Sequence, residues 1–135
     1  MNFNIPLSEI MTTDLVTVSP GQKLIDVKHI FEKKEFHHHI PVAENGMLIG
    51  MVSLIDFLFA LKNGSLDDDE EEYHLLFVKD IMRERPYTLP SSSSFREVVE
   101  ILGKGHIHAI VIADGGKLKG IISTTDVIRF FLKNG

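Results

Sequence analysis

The sequence predicts an α+β fold made of two similar units of β-α-β-β-α order, related by a pseudo-two-fold axis. An internal repeat is the first reason: residues 8–11 (Ser-Glu-Ile-Met) recur as 79–82 (Lys-Asp-Ile-Met), and residues 50–56 (Gly-Met-Val-Ser-Leu-Ile-Asp) recur as 120–126 (Gly-Ile-Ile-Ser-Thr-Thr-Asp). Chain length is the second: in a chain of 135 residues either half alone would bury too little apolar surface, so the halves should share a core. An internal axis of this kind makes two equivalent clefts, a layout more typical of a binding protein than of an enzyme.

The first half shows the elements in order. Residues 15–18 predict a short strand that ends at a Ser-Pro-Gly turn, and the apolar positions within 24–31 follow helical spacing. Residues 38–43 and 47–53 predict two strands around an Asn-Gly pair, which is a strong hairpin signal. Apolar residues at i, i+3, i+4 and i+7 then predict a closing helix over 54–61.

The second half repeats that order. Four serines at 91–94 stand where a helix over 95–102 must begin, and serine is a favoured N-cap. Residues 109–113 and 117–123 predict the second hairpin, and residues 124–131 predict the last helix.

These patterns divide the chain into a first unit over 1–64, an acidic linker over 65–76 and a second unit over 77–135. The linker carries six consecutive acidic residues at 67–72, more typical of a solvated segment than of a calcium loop. We expect it to be partly helical from Leu66 onward, because acidic residues suit a helix's first turn. Its buried end should consist of Leu75, Leu76 and Val78.

Composition excludes several classes of protein. The chain has no cysteine, so neither a disulfide framework nor a thiolate metal site is possible. A net charge of −5 without a basic stripe argues against binding nucleic acid. No apolar run approaches the ~20 residues that span a bilayer, and the N-terminus lacks signal-peptide features, so we expect no membrane insertion and a cytoplasmic location.

Several short motifs carry a resemblance to a known family. They are Ile10-Met11 and Ile81-Met82, Val16-Thr17-Val18 and Tyr87-Thr88-Leu89, His39-Ile40-Pro41-Val42, and the Gly-apolar-apolar-Ser-x-x-Asp motif that closes each half. In this order, over nearly the whole chain, they resemble a pair of cystathionine beta-synthase (CBS) domains, also called a Bateman module. The resemblance implies two units packed sheet to sheet with two clefts between them. It also implies an adenosyl ligand such as AMP, ADP, ATP or S-adenosylmethionine, regulation of an enzyme, channel or transporter, and dimerisation.

The closing motif at 123–126 has suitable chemistry for such a ligand. A carboxylate can accept hydrogen bonds from both ribose hydroxyls, and phosphate is favoured by hydroxyls and amides at a helix N-terminus. This segment offers three hydroxyls, the amides of a first turn and the Asp126 carboxylate. An ordinary N-cap is the alternative explanation for the same residues.

By resemblance, one cleft draws on residues from both halves of the chain. They are Thr12, Val16, Thr17, His37, His38, Ile40, His108, Ile121, Ser123, Thr125 and Asp126. Asp126 would bind the ribose, Ser123 and Thr125 phosphate or ribose, and Thr17 would form the adenine–ribose wall. The histidines would approach the base or the phosphates, with His108 as a phosphate contact, and the apolar residues would help to sandwich the base.

The sister cleft would use the equivalent residues of the other closing motif and their neighbours. They are Ser53, Asp56, Arg83, Thr88 and His38, with Arg83 as a phosphate anchor because its planar fork suits phosphate oxygens. Leu54 and Ile55 stand here in place of two threonines. The loss of two hydroxyls predicts that the Asp126 cleft binds the ligand more tightly.

The favoured function is a non-catalytic regulatory module, without a further cofactor, that senses cellular energy or a related adenosyl ligand and signals in trans to an unknown effector as a homodimer. One alternative is metal sensing by His38 with His108, since imidazole binds zinc well, although we favour phosphate or solvent as their neighbours. Another is a structural dimerisation module with empty clefts. A hydrolase is disfavoured because the chain lacks G-x-S-x-G, a Walker motif and G-x-G-x-x-G.

Overall fold

The computed structural model describes residues 3–33, 38–61 and 65–134, and it confirms the α+β class. The chain forms two compact units. One, which we call the contiguous unit, comprises Val16–Arg85, and the other, the split unit, comprises Met1–Leu15 together with Pro86–Gly135.

The described residues of the contiguous unit form a hairpin, four helices and a short third strand. In chain order these are α1 (Leu24–Phe31), β1 (His39–Glu44), β2 (Met47–Ser53), α2 (Leu54–Ala60), α3 (Glu72–Leu75), α4 (Val78–Ile81) and β3 (Arg83–Glu84). β1 and β2 are antiparallel, and β3 pairs antiparallel with β2 so that Arg83 lies opposite Met51. The hairpin turns at Asn45 and Gly46, whose φ angles of 53° and 79° explain the Asn-Gly pair.

The split unit repeats this plan. Its elements are a 3₁₀ turn (Leu7–Glu9), β4 (Thr88–Leu89), α5 (Phe95–Gly103), β5 (Ala109–Asp114), β6 (Lys117–Ser123) and α6 (Thr124–Asn134). β5 and β6 form the antiparallel hairpin, and β4 runs parallel to β5. The serine run caps α5 as predicted, because the Glu97 amide donates to the Ser94 hydroxyl at 3.1 Å.

Each unit has a hydrophobic core that includes residues from the other half of the sequence. Leu7 and Ile10, from the first repeat, are buried beside Phe95 and Ile122 of the second. Val78, from the second repeat, is buried in the core of the contiguous unit. The repeats therefore exchange their opening segments, so each core depends on both halves of the chain.

The strand predicted over residues 15–18 is reduced to a single bridge in which Val18 pairs with Val42. In the split unit the corresponding strand β4 gains support because the Val111 amide donates to the Tyr87 carbonyl at 3.2 Å. Pro41 occupies the position equivalent to Val111, and proline has no N–H to donate to the Val16 carbonyl. The missing donor explains why the ladder does not extend to Val16.

The linker differs from its prediction. Helix α3 begins at Glu72, not near Leu66, and Leu75 is 61% exposed, so the expectation that Leu75 is buried is wrong. Tyr73 is fully buried instead: its ring lies 6.1 Å from that of Phe57, and its hydroxyl donates to the Ser65 carbonyl at 2.6 Å. The other two residues of the predicted buried end behave as expected: Leu76 packs half-buried against the core of the contiguous unit, and Val78 is buried within it. Tyr73 therefore takes the place of Leu75 in anchoring the linker.

Candidate functional site

The closing motif of the split unit forms a capping box where β6 becomes α6. The Ser123 amide and hydroxyl donate to Oδ2 of Asp126 at 2.8 and 3.0 Å, and the Asp126 amide donates to the Ser123 hydroxyl at 3.1 Å. The N-cap interpretation of this motif is therefore confirmed. Capping occupies one carboxylate oxygen and holds the side chain in a fixed orientation.

The other oxygen of Asp126 faces Thr12. The Thr12 hydroxyl donates to Oδ1 at 3.3 Å, which is long for a hydroxyl donor. Backbone hydrogen bonds of 2.8 and 3.0 Å between Thr12 and Ile121 hold the threonine in place. A neutral, rotatable hydroxyl leaves Oδ1 able to accept hydrogen bonds from a ligand.

The equivalent carboxylate in the contiguous unit has a charged partner. Ser53 and Asp56 form the same capping box, with bonds of 3.3 and 3.0 Å, but Oδ1 of Asp56 accepts from Nε of Arg83 at 3.1 Å. Partial burial acts to raise the pKa of Asp56, but the hydrogen bonds from Ser53 and Arg83 outweigh it and hold that pKa below its usual value of 3.8. The guanidinium thus neutralises the oxygen that a ligand hydroxyl would need.

A glycine in each closing motif allows the opening segment of the other repeat to approach. A Cβ on Gly120 would lie 2.8 Å from Sδ of Met11 and 3.0 Å from the Thr12 carbonyl oxygen. A Cβ on Gly50 would lie 2.7 Å from the Arg83 carbonyl oxygen. The two glycines thus explain how Thr12 and Arg83 come to face their aspartates.

The other predicted residues of the split unit lie near this motif or on its surface. The His108 carbonyl accepts from the Thr124 amide at 2.9 Å, so its backbone adjoins the start of α6. Thr125 is exposed, Ile121 is buried with 8% of its surface accessible, and Thr88 is exposed on β4.

The remaining residues predicted to line a cleft belong to the contiguous unit, except that His37 lies outside the described residues. Val16 and Thr17 are exposed, and the His38 carbonyl accepts from the Leu54 amide at 2.8 Å. Ile40 is fully buried in the core, so its side chain offers a ligand no surface within this unit, contrary to the expectation that it sandwiches a base. The grouping of these residues with Asp126 around one ligand remains a prediction.

A groove that the sequence did not predict adjoins Asp126, and we call it the α6 groove. It has a volume of about 370 Å³. It is lined by side chains of α6 and of the N-terminal segment: Ile5, Glu9, Ile10, Asp126, Arg129, Phe130, Lys133 and Asn134. Positions 126, 129 and 133 fall on one face of a helix, which is the sequence signal that could have indicated the groove.

One cluster among the described residues has the side chains that could hold a metal ion. It consists of His29, Glu32 and Asp68, whose potential ligand atoms lie within 4.8 Å of one another. The buried ammonium of Lys28 donates to both carboxylates, at 3.0 Å in the case of Glu32. This contact with Asp68, more than any other, raises the pKa of Lys28 and lowers that of Asp68. The cluster is therefore an ion-pair network that already contains a cation.

Within the described segments, no helix has the length and apolar character needed to cross a membrane.

Comparison with known families gives a match over most of the chain. The family model for the CBS domain matches twice, at residues 7–63 and 78–133. The two matched segments follow the sequence repeat, whereas the compact units cut across it through the exchanged opening segments.

Two relatives come from Methanocaldococcus jannaschii. The uncharacterized protein MJ1225 is 25% identical over 134 residues, which are 95% of this chain and 48% of that protein. The uncharacterized protein MJ0188 is 33% identical over 127 residues, which are 93% of this chain and 44% of that protein. The chain thus spans about half the length, or less, of these curated relatives.

Three solved structures share the fold. A putative acetoin utilization protein (AcuB) from Vibrio cholerae has a TM-score of 0.81 at 23% identity, covering 96% of this chain and 91% of that one. CBSX2 in complex with AMP has a TM-score of 0.80 at 23% identity, covering 96% and 97%. The CBS domain pair of protein MJ0100, in complex with 5′-methylthioadenosine and S-adenosyl-L-methionine, has a TM-score of 0.77 at 18% identity, covering 97% and 98%.

Proposed function

This chain belongs to the CBS domain family, and from that premise we propose that it is a non-catalytic regulatory module that binds an adenosyl ligand at Asp126 and signals to a partner protein in trans. The observation that carries the proposal is Oδ1 of Asp126, held in place by the cap and contacted by one long hydrogen bond from a neutral hydroxyl. A carboxylate of this kind is suited to accept hydrogen bonds from the vicinal hydroxyls of a ribose.

The solved relatives support the same class of ligand. AMP is bound in CBSX2, and methylthioadenosine and S-adenosylmethionine are bound in the MJ0100 pair. These ligands share an adenosyl group and differ in the substituent on the 5′ carbon. The shared group is the part that Asp126 would recognise in this chain, with Ser123, Thr125 and His108 close to the same helix start and Thr17 and His38 as predicted further contacts.

Regulation would follow from a shift in populations. A ligand that binds one arrangement of the chain better than another stabilises that arrangement in proportion to its differential affinity. A partner protein that contacts the favoured arrangement would then respond to the ligand's concentration, and energy sensing would follow if the ligand is AMP, ADP or ATP.

The proposal is tested by titrating the protein with methylthioadenosine, AMP, ATP and S-adenosylmethionine in a calorimeter. We expect at least one ligand to bind, and Asp126→Ala to weaken it about 10- to 100-fold, because charge-assisted hydrogen bonds are worth about 1.5–3 kcal/mol each. Asp56→Ala is the matched control, since it removes the same cap from the other unit.

Three results would count against the proposal. Absence of binding by all four ligands would refute an adenosyl site and favour the structural dimerisation alternative. An equal loss of affinity from both alanine variants would reject the predicted inequality of the sites. Turnover of ATP would indicate an enzyme instead.

A homodimer is the second part of the proposal, and exposed apolar side chains on the closing helices support it. Ile55, Leu58 and Phe59 on α2 are 60%, 49% and 85% exposed, and Ile128 and Leu132 on α6 are 54% and 82% exposed. Such clusters on a folded surface mark interaction sites more often than isolated apolar residues do. Because both faces come from the same element of the repeat, a second copy of this chain is the partner that would cover them symmetrically.

Sedimentation equilibrium of Phe59→Asp and Leu132→Asp tests the dimer. We expect the wild-type protein to be dimeric and each variant to shift toward the monomer, whereas Leu66→Asp, an exposed leucine outside these helices, should have no effect. A monomeric wild-type protein at micromolar concentration would refute this part of the proposal.

A further inference from the structure

The α6 groove carries charges of both signs beside the proposed adenosyl site. Arg129 and Lys133 contribute two positive charges, and Glu9 and Asp126 contribute two negative charges. The groove is therefore neutral overall although four charged side chains line it. Its apolar residues, Ile5, Ile10 and Phe130, provide surface between the charges.

Three of these charged side chains have no ion-pair partner among the residues that the structure describes. No ion pair within 4.0 Å joins Glu9, Arg129 or Lys133 to another residue in that part of the chain. Arg83 in the contiguous unit, by contrast, is paired with Asp56. Unpaired groups of opposite sign on the two walls of one groove can each bind an oppositely charged group of a ligand.

The spacing of the charged residues along α6 matches the length of a substituent that extends from the ribose of the ligand. Arg129 lies one turn beyond Asp126 and Lys133 lies two turns beyond it, about 4.5 and 10.5 Å along the helix axis at 1.5 Å per residue. The arm of an amino-acid substituent on the 5′ carbon is of this size. In the other repeat the position of Arg129 is held by Phe59, so the feature belongs to one unit.

We propose that the α6 groove recognises a zwitterionic amino-acid substituent on the 5′ carbon of the adenosyl ligand, with Arg129 and Lys133 binding its carboxylate and Glu9 binding its ammonium group. An arginine fork matches a carboxylate, and a glutamate accepts the protons of an ammonium group. A polyphosphate arm brings two or more negative charges into a groove without net positive charge, and Glu9 would repel it.

This inference rests on the proposed function, because it needs the adenosyl group at Asp126. Its test therefore compares two probes that share the adenosyl group. Methylthioadenosine has a neutral 5′ arm, and S-adenosylhomocysteine has a zwitterionic one. The affinity for methylthioadenosine reports on the adenosyl site, and the ratio of the two dissociation constants reports on the groove.

We expect the full chain to bind S-adenosylhomocysteine at least about tenfold more tightly than methylthioadenosine, and more tightly than ATP, since each charge-assisted contact is worth about one power of ten. Arg129→Gln and Glu9→Gln should each reduce the ratio of the two dissociation constants about tenfold. Lys104→Gln, which removes an exposed cation from the C-terminal end of α5, is the matched control and should leave the ratio unchanged.

The outcomes separate the two hypotheses. If methylthioadenosine binds at Asp126 and S-adenosylhomocysteine binds no more tightly, the inference about the groove is wrong and the proposed function stands. If ATP binds most tightly and Arg129→Gln weakens ATP, the groove is a phosphate site and the inference is overturned. If no adenosyl probe binds, both fail.

Discussion

The two units hold equivalent aspartates in the same capping box, but the second carboxylate oxygen has a different hydrogen-bond partner in each unit. Asp126 and Asp56 stand at the same position of the repeat, close the same capping box and face the opening segment of the other repeat. At the end of that segment the split unit has Thr12, and the contiguous unit has Arg83. One side chain thus determines whether the second carboxylate oxygen meets a neutral hydroxyl or a charged guanidinium.

A carboxylate at a helix start is therefore insufficient evidence of a binding site. The cap requires Asp126 and Asp56 equally, so capping alone explains why each repeat ends in aspartate. The units are distinguished by the remaining oxygen and the charge beside it. A comparison of the two units is therefore a sharper guide to function than either motif alone.

The largest effect on this comparison should come from the two glycines. Gly50→Ala should lower the free energy of unfolding by about 3 kcal/mol, because the new Cβ meets a backbone oxygen at 2.7 Å. Gly120→Ala should cost about half as much, because the nearest atom belongs to the flexible Met11 side chain. Urea unfolding measures both, with Gly21→Ala as the control, since nothing lies within 4 Å of a Cβ at that position. Equal costs would contradict the assignment of the closer contact.

Exchanging the side chains that face the two aspartates should exchange the relative ligand affinities of the two sites. Thr12→Arg should weaken methylthioadenosine at Asp126 about tenfold, and Arg83→Thr should strengthen it at Asp56 about tenfold, because a guanidinium competes for Oδ1. Calorimetry in Asp56→Asn and Asp126→Asn backgrounds isolates each site. AMP is the second probe: if Arg83→Thr strengthens methylthioadenosine but weakens AMP, Arg83 also anchors phosphate, as the sequence predicted. No change with either ligand would refute competition.

Acid should remove a stabilising contribution from the contiguous unit. The pKa of Asp56 is lower in the folded protein than its usual value of 3.8, so protonation favours the unfolded chain. The contribution is present above about pH 4 and is lost as the pH falls through the lowered pKa. It should be below about 1 kcal/mol, because Arg83 is 75% exposed. Urea unfolding of wild type and Asp56→Asn from pH 6 to pH 2.5 measures it, and a stability difference that grows with acidity would contradict the sign.

The smallest effect concerns the first strand. Pro41→Val restores an amide donor opposite the Val16 carbonyl and should make the contiguous unit resemble the split unit, where Val111 donates to Tyr87. The gain is about 0.5–1.5 kcal/mol for a hydrogen bond, and loss of the proline constraint offsets much of it. Hydrogen exchange should show a newly protected amide at residue 41 while overall stability changes by less than about 1 kcal/mol. An unprotected amide would mean that proline is not the feature that limits this strand.

Most of the fold could be predicted because its signals are local. Helical spacing within α1 and α5, the Asn-Gly turn and the serine cap each depend on neighbouring residues, and each lies where the pattern placed it. The shortening of the first strand could also have been predicted from the sequence, because proline at position 41 has no N–H to donate. Tyr73 was missed because the choice between it and Leu75 depends on which side of a one-turn helix faces Phe57.

The candidate site was less predictable because its contacts join distant parts of the chain. The capping boxes are local and were foreseen as an alternative. The proximity of Thr12 to Asp126 spans 114 residues, and only the family resemblance suggested it. Arg83 was expected to face phosphate, whereas its hydrogen bond to Asp56 depends on the β2–β3 pairing, which no local pattern reveals. The contacts of these residues with a ligand stay a prediction.

The exchange of opening segments also sets an order for synthesis on the ribosome. The contiguous unit comprises Val16–Arg85 and has all its residues once that stretch has emerged. The split unit cannot complete its core until α6 has been synthesised. The apolar side chains of Leu7, Ile10 and Met11 therefore remain exposed while about a hundred further residues are added. A nascent chain stalled before α6 should therefore contain every residue of the contiguous unit while the apolar side chains of its N-terminal segment stay exposed, and this interval is the point at which a chaperone or a premature association would act.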